Sequence, residues 1–538
     1  MEGLASVADA LRAAARGFGD TDWVVTPQGR LTFAQADRRA RVLAAGLAAR
    51  GLQPGDRVAI VSPNRLEVVE LFAAASIAGV VQVPMNVYLR GEGLRFQLAD
   101  AAARVVVADG PGVAAVAAIA DSLPDLELVV ALDDEDADGG AGATPVLPAR
   151  IDTVAWADLP KDGPTPEPSL GRSTLHSIVY TSGTTGQPKG CMLGHGYYLA
   201  SSAEGGRLLG YTRDDVALTA LPLYHGFARG LLMSGLLYGL TIVVEEAFSP
   251  AAFLQRARAV NATVLQLVGA MAHALLALPQ EAGDAGPALR KAVTIPLDPE
   301  RAAAFERRFG APVQAAVYGQ TETGGIAVLP VGEPAPPGTL GRPAPNFEVR
   351  LVDDGDVEVP AGEVGEVVVR PRTPWSTSMG YWRRPEETAT AWRNLWLHTG
   401  DLARSLPDGT LVFVDRKGDA LRRRGENVAS AVVEAALLRH DAVAEAAVHA
   451  VASAATEDDI KAVLVLHAGA SITPREVFDV AREYLPYFAV PRYVEVVDEL
   501  PRTVTLRVRK HVLRERGITP ETWDLQAMGL VVARDDRR

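Results

Sequence analysis

Two rhythms of apolar and polar positions alternate along the first part of the chain. Residues 34–49 carry an apolar stripe at helical period, and residues 56–61 follow as a short apolar run. The pair recurs: helical period over 67–78 then an apolar run over 80–84, and helical period over 94–102 then an apolar run over 104–108. Short apolar strands separated by helices predict parallel sheets covered by helices. Residues 1–18 predict an amphipathic helix with Leu4, Val7, Leu11 and Ala15 on one face. Residues 133–168, rich in Asp, Gly, Pro and Ala, predict an exposed loop. After about residue 330 the texture changes: residues 348–352 and 365–370 predict strands joined by turns, and another run of helices and strands begins near Asp419.

A chain of 538 residues is too long for a single core. The change in texture divides it into a large N-terminal domain over 1–416 and a small C-terminal domain over 417–538. No internal repeat or low-complexity tail interrupts either part.

Charge narrows the partners. A net charge of -13 and a pI near 5.3 argue against nucleic acid or an anionic membrane, both of which need a positive face. A local basic pocket for phosphates stays compatible with an acidic body. One cysteine, Cys191, excludes a disulfide within the chain and fits a reducing compartment. The first 18 residues lack the basic start, apolar core and cleavage site of a signal peptide, and no apolar run reaches ~18 residues, so no membrane span is expected. The cytoplasm is the expected location, and a homodimer is compatible with the sequence. Lysine is scarce: of 53 basic residues only Lys161, Lys189, Lys291, Lys417, Lys461 and Lys510 are lysines. A retained lysine is therefore a better candidate for chemistry than usual, while arginine can stand where lysine is expected through drift.

The sharpest local feature is Tyr180-Thr181-Ser182-Gly183-Thr184-Thr185-Gly186-Gln187-Pro188-Lys189-Gly190, which follows an apolar stretch over 175–179. Glycines let the backbone turn and expose its N–H groups; hydroxyls and N–H groups bind phosphate oxygens, and a lysine adds a point charge. A Ser/Thr/Gly surface turn is the plain alternative. The pattern is not that of the nucleoside-triphosphatase P-loop, in which Gly-Lys-Ser/Thr opens a helix. Here Pro188 precedes Lys189 and residues 191–193 read as a second strand.

This loop resembles the signature of the adenylate-forming enzymes, which include acyl-CoA synthetases, firefly luciferase and peptide-synthetase adenylation domains. Further segments match in the family's order: Leu221-Pro222-Leu223-Tyr224-His225, Tyr318-Gly319-Gln320-Thr321-Glu322-Thr323, Trp396-Leu397-His398-Thr399-Gly400-Asp401, and Asp415-Arg416 with Arg424-Gly425-Glu426-Asn427. The run over 424–434 looks most like the carnitine-CoA ligase branch. The resemblance implies an α/β fold: a large N-terminal domain of stacked mixed sheets covered by helices with a β-rich subdomain, and a small mobile α+β C-terminal domain. It implies an ATP-dependent reaction in which a carboxylate attacks the α-phosphate to give acyl-AMP, after which the thiol of coenzyme A takes the acyl group.

By the same resemblance, Thr181, Ser182, Gly183, Thr184, Thr185, Gly186 and Lys189 hold the β- and γ-phosphates, and Glu322 binds Mg²⁺. Thr321 contacts the α-phosphate, Tyr318 packs on adenine with Gly319 beside it, and Asp401 accepts from the ribose hydroxyls. Arg416 reaches the ribose or phosphate. His225 gates the passage between nucleotide and acid, Gly319 also borders the acid, and Gly425 and Glu426 lie by the pantetheine tunnel. Taken singly each residue has a plainer role; Thr321-Glu322-Thr323, for example, also reads as a helix cap.

Three features depart from the family. Arg507 stands where the catalytic lysine belongs and Leu506 where glycine belongs, with Lys510 three residues on. Arginine keeps the charge, but its planar fork is not a compact ammonium, so Arg507, Lys510 or a different acid substrate each account for the change. Gly418 occupies the hinge position, and the adenine-side motif gives way to Val293-Thr294-Ile295-Pro296-Leu297. Arg229, four residues after His225 on the same predicted helix face, either pairs with a second anionic group on the substrate or lies solvated at the surface. Two other readings stay open: diazotase-like activation of nitrite for transfer to an amine, and a nucleotide-binding pseudoenzyme.

Overall fold

The computed structural model describes residues 3–132, 146–159, 163–181, 188–281, 283–286, 288–295, 297–333, 336, 338–417, 421–423, 426–428, 430–452, 458–485, 487, 489–502 and 508–532. It has the predicted α/β architecture. Two seven-stranded sheets form the body, each parallel except for one antiparallel pair at an edge. One runs in the order Asp152–Ala155, Leu128–Ala131, Val105–Ala108, Arg57–Val61, Val81–Pro84, Leu175–Thr181, Lys189–Gly194. The other runs Val313–Gln314, Lys291–Ile295, Val264–Val268, Val216–Thr219, Thr241–Val244, Asp22–Thr26, Gly29–Thr32.

The helices between the strands form for local reasons. Ser6 and Asp9 cap each other at the start of Val7–Phe18, and Thr32 and Gln35 do the same for Phe33–Ala49. Helix Leu66–Ala78 is apolar nearly all round and buried, and ends on left-handed Gly79. One core joins these helices to both sheets, with Trp23, Phe72, Tyr198, Leu218 and Phe253 inside it.

The change of texture after residue 330 corresponds to a third, wholly antiparallel seven-stranded sheet: Val317–Gln320, Gly324–Val328, Thr339–Pro343, Leu411–Arg416, Leu397–Ser405, Val364–Pro371, Phe347–Val352. It has its own core around Ile326, Phe347, Val367 and Leu397. From residue 421 a small α+β unit follows: a ribbon, a four-stranded sheet and the helices Ser430–Leu437, Pro474–Tyr484 and Lys510–Arg516. Its main core draws only on residues from Val428 onward. Among the described residues no helix is long and apolar enough to cross a membrane.

Two expectations change. The loop over 133–168 contains the edge strand Asp152–Ala155, parallel to Leu128–Ala131. Only Val154 in it is buried, too little apolar content to register as a strand. The first helix begins at Val7, after the Ser6 cap.

Asp215 ties the N-terminal ends of three neighbouring strands. It accepts from the Thr212 N–H at 2.9 Å, the Thr263 hydroxyl at 2.7 Å and the Arg290 guanidinium at 2.6 Å. Its side chain is fully buried while Arg290 is half exposed, so Asp215→Asn costs about 2 kcal/mol, the scale of a badly paired buried polar group and below that of a fully buried ion pair. Urea unfolding measures this; an unchanged midpoint contradicts the tie.

Candidate active site

The candidate site lies where a parallel α/β sheet offers ligands room, beyond the carboxyl end of a strand. Strand Leu175–Thr181 runs into the loop, and the chain returns along Lys189–Gly194 with Thr181 paired to Lys189. The two ends of the loop are thus fixed to each other. Ser182, Gly183, Thr184, Thr185 and Gly186 lie outside the described residues.

Residues 376–382 zip onto the returning strand. Met192 N–H donates to Gly380 O at 2.9 Å, Met379 N–H to Met192 O at 2.8 Å, and Trp382 N–H to Gly190 O at 2.7 Å. This brings Tyr381 under Lys189, whose Nζ lies 5.3 Å from the ring centroid. The Tyr381 hydroxyl donates to Glu322 Oε1 at 2.9 Å, and Ser378 N–H donates to Glu322 O at 2.7 Å.

Glu322 sits in the turn between Val317–Gln320 and Gly324–Val328. Thr321, Glu322 and Thr323 are therefore a hairpin turn and cap no helix. Thr323 holds the turn closed: its hydroxyl accepts from Gln320 N–H at 3.2 Å and donates to Gly324 O at 2.9 Å. Gly319 has to be glycine, since a Cβ there would come 2.0 Å from Gly324 O.

The same hairpin holds Asp401. Tyr318 donates its hydroxyl to Asp401 Oδ2 at 2.8 Å, and Gln320 Nε2 donates to the same oxygen at 2.8 Å. Arg416, paired with Asp401 across neighbouring strands, lies 3.2 Å from Oδ1. Burial, followed by the Asp401 charge, pushes the Tyr318 hydroxyl well above its ordinary value, so it stays a donor. The ladder between Val364–Pro371 and Leu397–Ser405 slips at Thr399, Gly400 and Asp401, as a bulge does. Gly400 takes φ +71° there, and its N–H donates to Glu366 Oε1 at 3.1 Å.

Glu366 anchors the other side of the bulge. Lys417 Nζ donates to Glu366 Oε2 at 2.9 Å and lies 3.0 Å from Asp354, while Lys417 N–H donates to Gly400 O at 2.8 Å. Burial raises the Glu366 pKa, but the bond from Lys417, with His398 Nδ1 3.1 Å away, outweighs it and brings it down to about 2.

Contacts thus run without a break from Lys189 through Tyr381 to Glu322, along the hairpin, and on to Tyr318, Asp401 and Arg416. The remaining candidates have contacts of their own or lie outside the described residues. His225 precedes helix Gly226–Tyr238, its ring centroid 4.7 Å from that of Tyr224. Lys510 is engaged within the C-terminal unit, bonded to Ser430 and 2.8 Å from Glu434. Glu426 lies in the ribbon strand Glu426–Val428. Arg507, Gly425 and Gly418 are outside the described residues.

Arg229 is not at the surface. It is 1% exposed, donates to Gln82 Oε1 at 2.6 Å, and lies over Phe72 at 4.8 Å and Tyr198 at 5.9 Å. Its long stem and flat guanidinium suit an aromatic interior, which the helical period alone does not show.

Four contributors carried no assigned role in the sequence: Gln320, Tyr381, Glu366 and Lys417. Gln320 stands inside a matched segment and Lys417 among the few lysines, so both had a signal. Tyr381 and Glu366 act through partners far away in sequence and had none.

Comparison with known proteins identifies relatives over nearly the whole chain. The model of the AMP-binding enzyme family matches residues 11–382, and that of the AMP-binding enzyme C-terminal domain matches 432–506. A feruloyl-CoA synthase from Amycolatopsis sp is 34% identical over 491 residues, 90% of this chain and 94% of that protein. A crotonobetaine/carnitine–CoA ligase from Salmonella paratyphi A is 29% identical over 478 residues, 86% and 89% of the two chains. The structure of the anthranilate CoA ligase AuaEII in complex with anthranoyl-AMP superimposes with a TM-score of 0.82 at 25% identity, covering 95% of this chain and 97% of the other. The chain belongs to the AMP-binding enzyme family.

Because the folded Glu366 pKa is lowered from 4.5, its contribution to stability is fully present above about pH 4.5 and is lost as pH falls toward about 2. Glu366→Gln lowers stability at pH 7 by about 2 kcal/mol, allowing for the partly exposed Lys417. The gap to wild type narrows below pH 4.5. Chemical unfolding at pH 7 and pH 3 reads both; equal stability at pH 7 contradicts the assignment.

Proposed function

We propose that the chain is an ATP-dependent, AMP-forming ligase that joins a carboxylic acid to coenzyme A through an acyl-adenylate. The observation that carries the reading is the unbroken contact path from Lys189 to Asp401 and Arg416. The relatives named above are, by their names, CoA synthases and ligases, which favours coenzyme A as acceptor over an amine and opposes a silent nucleotide sensor.

Lys189 and the loop from Thr181 through Ser182, Gly183, Thr184, Thr185 and Gly186 hold the β- and γ-phosphates. Thr321 meets the α-phosphate, Tyr318 with Gly319 flanks the adenine, and Asp401 and Arg416 take the ribose. Since Tyr318, Gln320 and Arg416 already direct Asp401, little reorganisation is left for the bound state. A divalent cation fits Glu322: its Oε1 is engaged by Tyr381, and among the described residues no cluster of three His, Cys, Asp or Glu is present. One carboxylate completed by substrate phosphates is how Mg²⁺ is usually held in nucleotide sites. When bound, Mg²⁺ supplies charge neutralisation for the departing pyrophosphate.

In the first step an oxygen of the acid carboxylate attacks the α-phosphorus and pyrophosphate leaves. Arg507 carries the charge that bridges the two anions, a reading supported by Lys510 being engaged with Ser430 and Glu434. In the second step the thiolate of coenzyme A attacks the acyl carbon and AMP leaves, with Gly425 and Glu426 beside the pantetheine. A boundary between residues 416 and 417 lets the C-terminal unit serve both steps.

His225 stands at the passage to the acid. Beyond it Phe227 and Val268 stay partly exposed on elements joined by the bond from Gln266 Nε2 to Phe227 O at 3.2 Å. Two open apolar side chains suit an acid with an apolar or aromatic body. Arg229 contributes from behind, holding the helix that follows His225 against Gln82. The cytoplasm, where ATP and coenzyme A are present, is the proposed location.

The test is a panel of acids (ferulate, anthranilate, carnitine, and nitrite with an arylamine) assayed for pyrophosphate–ATP exchange, and for AMP with and without coenzyme A. Carboxylic acids are expected to support exchange alone and AMP release on adding coenzyme A. ADP as product, or turnover only with nitrite, contradicts the reading. Arg507→Ala is expected to slow acid-dependent exchange at least ~100-fold, the scale of a charge donor in the transition state, and Lys510→Met far less; the reverse order reassigns the charge to Lys510.

A further inference from the structure

Tyr381 touches two groups of opposite charge. Its hydroxyl donates to Glu322 Oε1 at 2.9 Å, and its ring face lies 5.3 Å from Lys189 Nζ. An ammonium and a carboxylate free to approach each other would ordinarily pair directly. In this molecule a phenol stands between them and satisfies each separately: the ring quadrupole attracts the cation and the hydroxyl binds the anion.

The placement of Tyr381 is built from both sides. Its N–H donates to Thr388 Oγ1 at 2.9 Å, and it bridges Cys191 on the returning strand. Gly380, at φ +105°, lets the backbone pass Thr388, whose methyl carbon would lie 2.4 Å from an added Cβ. Ser378 N–H on the same segment fixes the backbone of Glu322. Tyr381 is partly buried there.

We infer that Tyr381 is a positioning residue that keeps Lys189 and Glu322 apart, so that the lysine is directed to phosphate and the free carboxylate oxygen to a divalent cation. This rests on the proposed reading of Lys189 and Glu322. Without the ring, Lys189 and Glu322 neutralise each other, and phosphate and metal affinity fall together. Without the hydroxyl alone, the spacing stays and only the aim of the carboxylate is lost.

The two effects separate in calorimetric titration of a non-hydrolysable ATP analogue with Mg²⁺ and with EDTA, using the full chain. Tyr381→Phe is expected to keep the affinity in EDTA within about twofold of wild type, and to reduce the gain on adding Mg²⁺ by about threefold to tenfold. Tyr381→Ala is expected to weaken binding in both conditions by tenfold or more, while KM for the acid stays unchanged. Glu322→Gln is the control. Loss of the Mg²⁺ gain in Glu322→Gln with a full gain in Tyr381→Phe overturns the inference and leaves the reading of Glu322 intact. A full gain in Glu322→Gln overturns the reading of Glu322 itself, and the inference with it. Because Tyr381→Phe keeps the ring, it tests the aim of the carboxylate even where Tyr381→Ala does not fold; a folded Tyr381→Ala with unchanged affinity in both conditions overturns the spacing.

Discussion

The carboxylate of Asp401 is the point at which the site is joined. Tyr318 and Gln320 reach it from the hairpin and Arg416 from the neighbouring strand. A buried carboxylate needs hydrogen-bonding partners, and here three side chains on two elements supply them. The hairpin that supplies two of them also carries Glu322 in its turn, so the position of the metal candidate follows from the position of the ribose candidate. Glycine at 319 lets the two hairpin strands come close, and glycine at 400 takes the left-handed turn of the bulge.

Two of the three large sheets carry the site. The parallel sheet ending in Leu175–Thr181 presents the loop and Lys189, whereas the antiparallel sheet presents the hairpin and the bulge with Asp401. Residues 376–382 stitch the two together. Glu366 and Lys417 then fasten the bulge to the start of the C-terminal connection, which links the strand that carries Asp401 to the place where the small unit departs.

Much of the fold was legible because burial on both faces leaves continuous apolar runs, as at residues 57–61 and 105–108. Asp152–Ala155 was not, since an edge strand with one buried residue lacks that pattern. Within the site, the loop and the matched segments were legible as motifs, but their junctions were not. Tyr381 reads as an ordinary aromatic until the fold places it against Glu322, 59 positions away. Arg229 reads as a polar helix residue, yet Phe72, Tyr198 and Gln82 enclose it.

The most direct measurement of the account follows oxygen. With an acid labelled in both carboxylate oxygens by ¹⁸O, attack on the α-phosphorus leaves one labelled oxygen in AMP and the other in the thioester. Mass spectrometry of the AMP is expected to show one ¹⁸O per molecule. Unlabelled AMP, or label carried into inorganic phosphate, contradicts the acyl-adenylate on which the account stands.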